Sequence, residues 1–123
     1  MTQPYVRPDV RAFLDQMEAQ GAKRAVDVSL AEARNMLHAS KHLFDAPMGE
    51  LAVIRNVEGG PCPMRLYDAR AERGPGPVMV FYHGGGFVLG DIATHEPLCA
   101  EIARLLDVPV VSVDYRLAPE HPF

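Results

Sequence analysis

The sequence predicts an α/β fold class with parallel strands, preceded by a helical segment. Two features of the chain indicate this class. Helical spacing of apolar residues gives way to strand-like alternation near residue 47. Further on, two short apolar runs flank an amphipathic stretch, a pattern typical of a strand–helix–strand unit with buried strands. We therefore expect helical segments over residues 1–46 and an α/β domain over residues 47–123.

The helical segment is predicted to contain two helices. The first begins near Pro8, whose fixed backbone suits an initial helical turn, and ends near Gly21. Its apolar residues recur at the spacing of one helical face: Val10, Phe13, Leu14 and Met17. Phe13 and Met17, with Met36 and Phe44 of the second helix, could pack as an ordinary amphipathic face or line a lid over a ligand.

The second helix is predicted to begin after Ser29. Ser29 and Glu32 have the spacing of a capping box, in which each side chain accepts a hydrogen bond from the other's backbone N–H. The buried side is predicted to comprise four residues: Met36, Leu37, Ser40 and Phe44. The stretch at residues 45–47, which ends in proline, is expected to terminate this helix.

Strands are predicted to follow, in two pairs. Alternating residues over 51–57 and 64–67, separated by a glycine-rich turn, indicate an antiparallel pair. The apolar runs at 78–82 and 110–113 indicate two parallel strands buried on both faces. The helix between them is predicted to pack through one face: Leu98, Ile102 and Leu105. Such a crossover is right-handed in nearly all proteins.

Composition and charge exclude several functional classes. The net charge of −4 gives no electrostatic basis for binding nucleic acid. No run of about 18 apolar residues is present, and the first residues lack the pattern of a secretory signal. Cys62 and Cys99 are therefore predicted to be free thiols in a cytoplasmic protein.

The candidate site is a glycine-rich loop directly after the first buried parallel strand. His83 is followed by Gly84, Gly85 and Gly86. Residues without a Cβ leave backbone N–H groups accessible from outside the chain. Preorganised N–H groups of this kind can hold a negatively charged oxygen.

The motifs in this half of the chain resemble one known family. Residues 83–91 read HGGGFVLGD, residues 94–95 read TH, and residues 114–123 read DYRLAPEHPF. These blocks resemble the hormone-sensitive-lipase-like (family IV) esterases and lipases of the α/β-hydrolase fold. The resemblance covers essentially the whole chain but only the N-terminal portion of the family's length. It implies a mostly parallel sheet in the order 1-2-4-3-5, with residues 1–46 as cap helices. The first four strands of that sheet would correspond to residues 50–58, 62–70, 77–82 and 108–114.

The resemblance also implies an activity and site residues. The family hydrolyses short to medium acyl esters with a serine nucleophile and needs no cofactor or metal. Gly85 and Gly86 would donate the oxyanion-hole hydrogen bonds, Gly84 would permit the bend, and His83 would orient the loop. The nucleophile, acid and catalytic histidine of the family lie later in its sequence. None of the serines present here occupies a strand-to-helix elbow: Ser29, Ser40 and Ser112.

We accordingly expect this chain to be inactive alone. It would need the remainder of the catalytic domain, in the same polypeptide or a complementary chain, and a small ester substrate. A strand at 78–82 would expose an unpaired apolar edge, so the isolated segment is expected to associate or precipitate. The alternative is a truncated, inactive module that binds a small ligand. A homo-oligomer is left open.

The block at residues 114–123 has two interpretations. Its charged residues could perform acid–base chemistry. The interpretation we favour is structural: Arg116 pairs with a carboxylate and braces the loop beside the glycines. Pro119 and Pro122 set the chain direction, and one of them is a candidate for a cis bond.

Two other kinds of site receive less support. Gly84, Gly86 and Gly90 match a loose dinucleotide pattern, but a helix does not begin directly after them and no P-loop signature is present. A metal site would need His83, His95 and His121, whose spacing matches no established ligand motif.

Overall fold

A computed structural model provides the structure of this protein, and it describes residues 4–21, 23–45 and 47–122, without the side chains of residues 42–44. Contacts between Cα atoms divide the chain into two compact units, Met1–Ala33 and Arg34–Phe123. The boundary falls within a helix. The expected division between residues 46 and 47 stays a prediction.

The first unit begins with helix α1, Pro8–Ala19. The predicted ends are confirmed, because Pro8 occupies the first helical position and Gly21 follows the helix at a φ of +67°. The apolar face is less covered than an ordinary packing face: none of the α1 residues is buried, and Phe13 is 48% exposed.

Helix α2, Leu30–Phe44, begins where predicted. Ser29 Oγ accepts a hydrogen bond from the backbone N–H of Glu32 at 3.2 Å. The reciprocal half of the predicted capping box is wrong, because the Glu32 carboxylate instead accepts a bond from Lys23 Nζ at 2.8 Å. A charged donor is a better partner for a carboxylate than a neutral amide. Met36, Leu37 and Ser40 are half-buried, and the predicted burial of Phe44 lies outside the described side chains.

The second unit contains a four-stranded sheet in the order β1-β2-β4-β3. Its strands are β1 Val53–Val57, β2 Met64–Asp68, β3 Met79–Tyr82 and β4 Val110–Val113. β2 pairs antiparallel with both β1 and β4, whereas β3 and β4 pair in parallel. Each strand is shorter than the range that the resemblance implied, but the order and directions confirm the predicted α/β class.

Helix α3, Glu96–Leu106, packs against β2 and β4. The predicted packing face is wrong for Leu98 and Leu105, which are 48% and 68% exposed. The buried face consists of small residues, Cys99, Ala100 and Ala103. Small side chains let the helix approach the sheet closely, and they form the core with Tyr67 and Val110.

The outer strand β3 also departs from expectation. It was predicted to be covered on both faces, yet Val80 and Tyr82 are 50% and 66% exposed. These two residues alternate with Met79 and Phe81, which pack against the core. β3 lies at the edge of the sheet, as the resemblance implied.

The two cysteines are free thiols, as predicted. Burial raises the pKa of the Cys99 thiol to about 11. Among the residues that the structure describes, no helix has the length and apolar character needed to cross a bilayer.

Candidate functional site

The glycine-rich loop, residues 83–90, leaves the end of β3 and folds back on itself in one tight turn. The carbonyl oxygen of Gly85 accepts hydrogen bonds from Val88 N at 3.1 Å and Leu89 N at 2.9 Å. Gly85 and Gly86 have positive φ angles of +131° and +62°. Both residues are exposed.

The amides of Gly85 and Gly86 have no acceptor within the described part of the chain. Neither amide donates any of the backbone or side-chain hydrogen bonds found among the described residues. The turn uses the carbonyl of Gly85 and leaves the N–H groups unpaired. Exposed and unpaired N–H groups are available to a negatively charged oxygen.

Close contacts explain why two positions of this loop must be glycine. A Cβ on Gly85 would lie 2.0 Å from the carbonyl oxygen of Leu89. A Cβ on Gly90, whose φ is +93°, would lie 2.7 Å from both Gly84 O and His83 Nδ1. At Gly86, by contrast, a Cβ would have nothing within 4 Å, so only its positive φ disfavours a larger residue.

His83 holds the start of the loop from within the protein. Its ring is 3% exposed and stacks on Tyr115, with centroids 4.3 Å apart. His83 Nδ1 lies 2.9 Å from the Gly84 carbonyl oxygen, which can only accept, so Nδ1 carries the donated proton. The buried Nε2 atom has no partner among the described residues. This geometry suits the predicted orienting role of His83, which stays a prediction.

A second histidine lies beside His83. The ring centroids of His83 and His95 are 5.6 Å apart. Burial, and then the proximity of His83, lowers the pKa of His95.

The pKa of the nearby Asp114 carboxyl is raised by burial and by repulsion from Asp91. Asp91 itself lies 2.8 Å from His38 Nε2.

The histidines do not assemble a metal centre in the described residues. His83 and His95 are neighbours, whereas His121 lines a separate surface pocket with Arg116. Within residues 4–21, 23–45 and 47–122, no group of three His, Cys, Asp or Glu side chains has a geometry that could hold a metal ion.

The predicted bracing role of Arg116 is wrong. Arg116 is exposed and forms no ion pair with any described residue. The arginine that meets the block at 114–123 is Arg34 of α2, which bonds Glu120 through both carboxylate oxygens. The partners are 86 positions apart, so no local pattern in the sequence indicated this pair. The expectation of a cis proline is confirmed at Ala118–Pro119.

Two surface pockets lie near the loop, but neither is lined by Gly85 or Gly86. The larger, about 630 Å³, is formed by β1, β2 and the segment after the loop, with Arg65, Asp91 and Asp114 in its wall. The smaller, about 340 Å³, lies on residues 115–122. Gly85 and Gly86 are both exposed, so their free amides face an open surface in the described part of the chain.

Sequence comparison identifies the fold to which this site belongs. A family model described as the α/β hydrolase fold matches residues 79–123, which include β3, the glycine loop, α3 and β4. The chain has the N-terminal part of the α/β-hydrolase fold. The predicted resemblance to esterases and lipases of this fold is confirmed by individual relatives.

Several relatives come from Mycobacterium tuberculosis, and two of them show how much of this chain is matched. The chain is 38% identical to the carboxylesterase NlhH over all of its own length and 40% of NlhH. It is 41% identical to the carboxylic ester hydrolase LipN over 80% of its own length and 27% of LipN. This α/β-hydrolase chain thus spans less than half the length of the curated relatives it matches.

Solved structures agree with these relatives. An ester hydrolase from the metagenome of Lake Arreo, in complex with a bipyridine phosphonate derivative, superimposes with a TM-score of 0.81 at 35% identity, covering 97% of this chain and 40% of that one. A hyperthermophilic esterase from Pyrobaculum calidifontis gives a TM-score of 0.76 at 35% identity, covering 96% and 39%. The four strands and α3 thus form part of a larger known fold.

Proposed function

We propose that this chain supplies the oxyanion-binding loop of a serine carboxylesterase or lipase acting on short to medium acyl esters. Gly85 and Gly86 donate their backbone N–H groups to the reacting carbonyl oxygen, and His83 and Gly84 shape the loop. The serine nucleophile, the acid and the catalytic histidine come from polypeptide outside these residues. The chain alone is inactive.

The observation that carries this proposal is the pair of unpaired amides at Gly85 and Gly86. An exposed backbone N–H with no acceptor in the protein can donate to a ligand. Here the turn is closed by the Gly85 carbonyl, so the two N–H groups remain available while their positions are fixed. Fixed donors stabilise a developing charge without reorganising at the moment of reaction.

The chemistry follows from ester hydrolysis by an acyl-enzyme route. The serine oxygen attacks the ester carbonyl carbon while the catalytic histidine takes the serine proton, and the carbonyl π electrons move to oxygen. The amides of Gly85 and Gly86 hold that oxyanion. Collapse of the tetrahedral intermediate expels the alcohol, which receives the proton from the histidine. Water then cleaves the acyl-enzyme and releases the acid.

Relatives support this reaction class. NlhH and LipN are carboxylic ester hydrolases. The ester hydrolase from Lake Arreo was solved with a phosphonate derivative, and a phosphonate resembles the tetrahedral oxyanion in shape and charge. The same amides could instead bind a carboxylate ligand without turnover, so catalysis itself must be measured.

The proposal also includes the partner of the site, its cap and the location of the protein in the cell. The rest of the catalytic domain is the partner that completes it, and residues 1–46 are proposed to cover the substrate as a cap. We also propose a cytoplasmic location, which fractionation of cells that express the gene product would test.

The test is hydrolysis of p-nitrophenyl butyrate by the complete gene product that carries this chain. We expect turnover by the complete protein and none by residues 1–123 alone. Replacing Gly86 by valine should lower kcat by about 10²–10³, because a β-branched residue disfavours the positive φ of Gly86 and would displace its N–H donor. Retained turnover in Gly86→Val would exclude the loop from the mechanism.

A matched control is available at Gly74, in the exposed link before β3. A Cβ on Gly74 has nothing within 4 Å and its φ is ordinary, so Gly74→Val should keep full activity. A complete protein that binds butyrate but hydrolyses no ester would favour the small-ligand-binding module instead.

A further inference from the structure

Arg34 in α2 connects three separate acceptors through one guanidinium group. Its Nε donates to the Val88 carbonyl oxygen at 3.0 Å. Its two terminal nitrogens donate to the Glu120 carboxylate at 2.8 and 2.9 Å, and Nη2 also donates to the Ala118 carbonyl oxygen at 3.2 Å. The side chain is 30% exposed, so only part of this arrangement is in contact with solvent.

Val88 belongs to the turn that positions the free amides. Its N–H donates to the Gly85 carbonyl, which closes the turn, and its own carbonyl accepts from Arg34. Arg34 therefore bonds the far end of the turn whose near end contains Gly85. A shift of the Val88 peptide would be transmitted to Gly85 through one hydrogen bond.

The same arginine also fixes the segment that packs beside the turn. The backbone N–H of Ala118 donates to the Phe87 carbonyl oxygen at 2.9 Å, and the Ala118 carbonyl accepts from Arg34. The turn and the segment at 117–120 are thus joined directly and through Arg34. Phe87 has a φ of +63°, a conformation that a bulky residue adopts only when its surroundings impose it.

We propose that Arg34 is a positioning residue that holds the glycine turn in its donor-presenting conformation. This inference rests on the proposed function for its effect on catalysis. A lysine cannot replace the arrangement, because an ammonium lacks the planar fork that reaches a carboxylate and two carbonyls at fixed angles. The exposed ion pair with Glu120 adds little stability by itself, so the main effect of Arg34 is on geometry.

The experiment compares Arg34→Lys with Arg104→Lys in the complete gene product. Arg104 forms an equally bidentate pair with Glu101 on α3, at 2.9 and 2.7 Å, and touches no part of the glycine loop. We expect Arg34→Lys to lower kcat for p-nitrophenyl butyrate at least about 10-fold, because a displaced oxyanion donor acts mainly on the transition state. KM should change less than about threefold.

Two further readouts separate positioning from simple destabilisation. Amide hydrogen exchange at Val88 and Leu89 should be faster in Arg34→Lys than in the unmodified protein, with exchange in β4 unchanged. Guanidinium ion added to Arg34→Ala should restore part of the lost kcat. Arg104→Lys should leave kcat and both exchange rates at their original values.

The proposal is overturned if Arg34→Lys keeps kcat within about threefold, or if Arg104→Lys shows the same loss. It is also overturned if exchange at Val88 and Leu89 does not change. The exchange measurement needs no substrate, so it tests the anchoring even if the complete protein hydrolyses no ester. Absence of ester hydrolysis by the complete protein would reject the proposed function without bearing on the role of Arg34 in anchoring the turn.

Discussion

The imidazole of His83 lies nearly parallel to the phenol ring of Tyr115, with an interplanar angle of 16°, and the Tyr115 hydroxyl donates to the His83 carbonyl oxygen at 2.6 Å. One residue thus contacts both the side chain and the backbone of the other. The contact joins the end of β3 to the segment after β4 at the point where the glycine loop begins.

Removing the Tyr115 hydroxyl should destabilise the protein while keeping the stack. We expect Tyr115→Phe to reduce the free energy of unfolding by about 1–2 kcal/mol, because a partly buried carbonyl loses its donor. Urea denaturation of the complete gene product measures this difference. Tyr5→Phe is the control, since Tyr5 is 85% exposed. Equal effects of the two changes would show that the hydroxyl contributes nothing at position 115.

The two central glycines should respond differently to alanine. Gly85→Ala should cost at least about 2 kcal/mol of stability, because its Cβ would overlap the Leu89 carbonyl and force the turn open. A Cβ on Gly86 would have open space around it. Gly86→Ala should therefore cost only about 1 kcal/mol of stability, because alanine disfavours the positive φ. Thermal unfolding monitored by circular dichroism gives the comparison. A Gly86→Ala change as damaging as Gly85→Ala would contradict the described turn.

The ion pair between Arg34 and Glu120 predicts a pH dependence. Arg34 lowers the pKa of Glu120 to about 2, below the ordinary value of 4.5. A carboxyl whose pKa is lower in the folded state stabilises the fold above its ordinary pKa, and this contribution is lost as the pH falls from about 4.5 towards about 2. The effect is small and salt-sensitive, because the pair is exposed.

Unfolding measured between about pH 2 and about pH 7 tests this dependence. The stability of the unmodified protein should exceed that of Glu120→Gln at neutral pH and low salt. The two curves should converge at the acidic end. A difference that grows on acidification would have the wrong sign for a lowered pKa and would refute the pair.

The packing of α3 makes a prediction opposite to that of its hydrophobic pattern. Ala103 is fully buried against the sheet, and Leu105 is 68% exposed. Ala103→Leu should therefore cost about 1–3 kcal/mol through overpacking. Leu105→Ala should stay within about 0.5 kcal/mol of the unmodified protein. Urea denaturation distinguishes the two, and a large loss in Leu105→Ala would restore the leucine face as the packing face.

Local patterns were sufficient to predict most of the elements. Proline at the start of α1, Ser29 before α2 and the apolar runs of β3 and β4 each act on neighbouring backbone, so their effects are visible in a short window. The turn that leaves the Gly85 and Gly86 amides unpaired is also local, because consecutive glycines permit its positive φ angles. The role of these amides as oxyanion donors stays a prediction.

Contacts between residues far apart in the sequence could not be predicted from local patterns. Two leucines of the predicted face of α3, Leu98 and Leu105, are exposed. The helix instead buries its small residues, Cys99, Ala100 and Ala103, whose size allows close contact with the sheet. Arg34 was missed for a related reason. Its acceptors lie on segments far along the chain, and their meeting depends on the folded sheet.

The crowding around Gly85 and Gly90 has a practical consequence for protein engineering. A saturation library over residues 83–90 should return almost only glycine at these two positions, because even a methyl group overlaps backbone atoms. Phe87 is 75% exposed, so the sequence diversity of such a library should concentrate at Phe87 and the neighbouring surface residues.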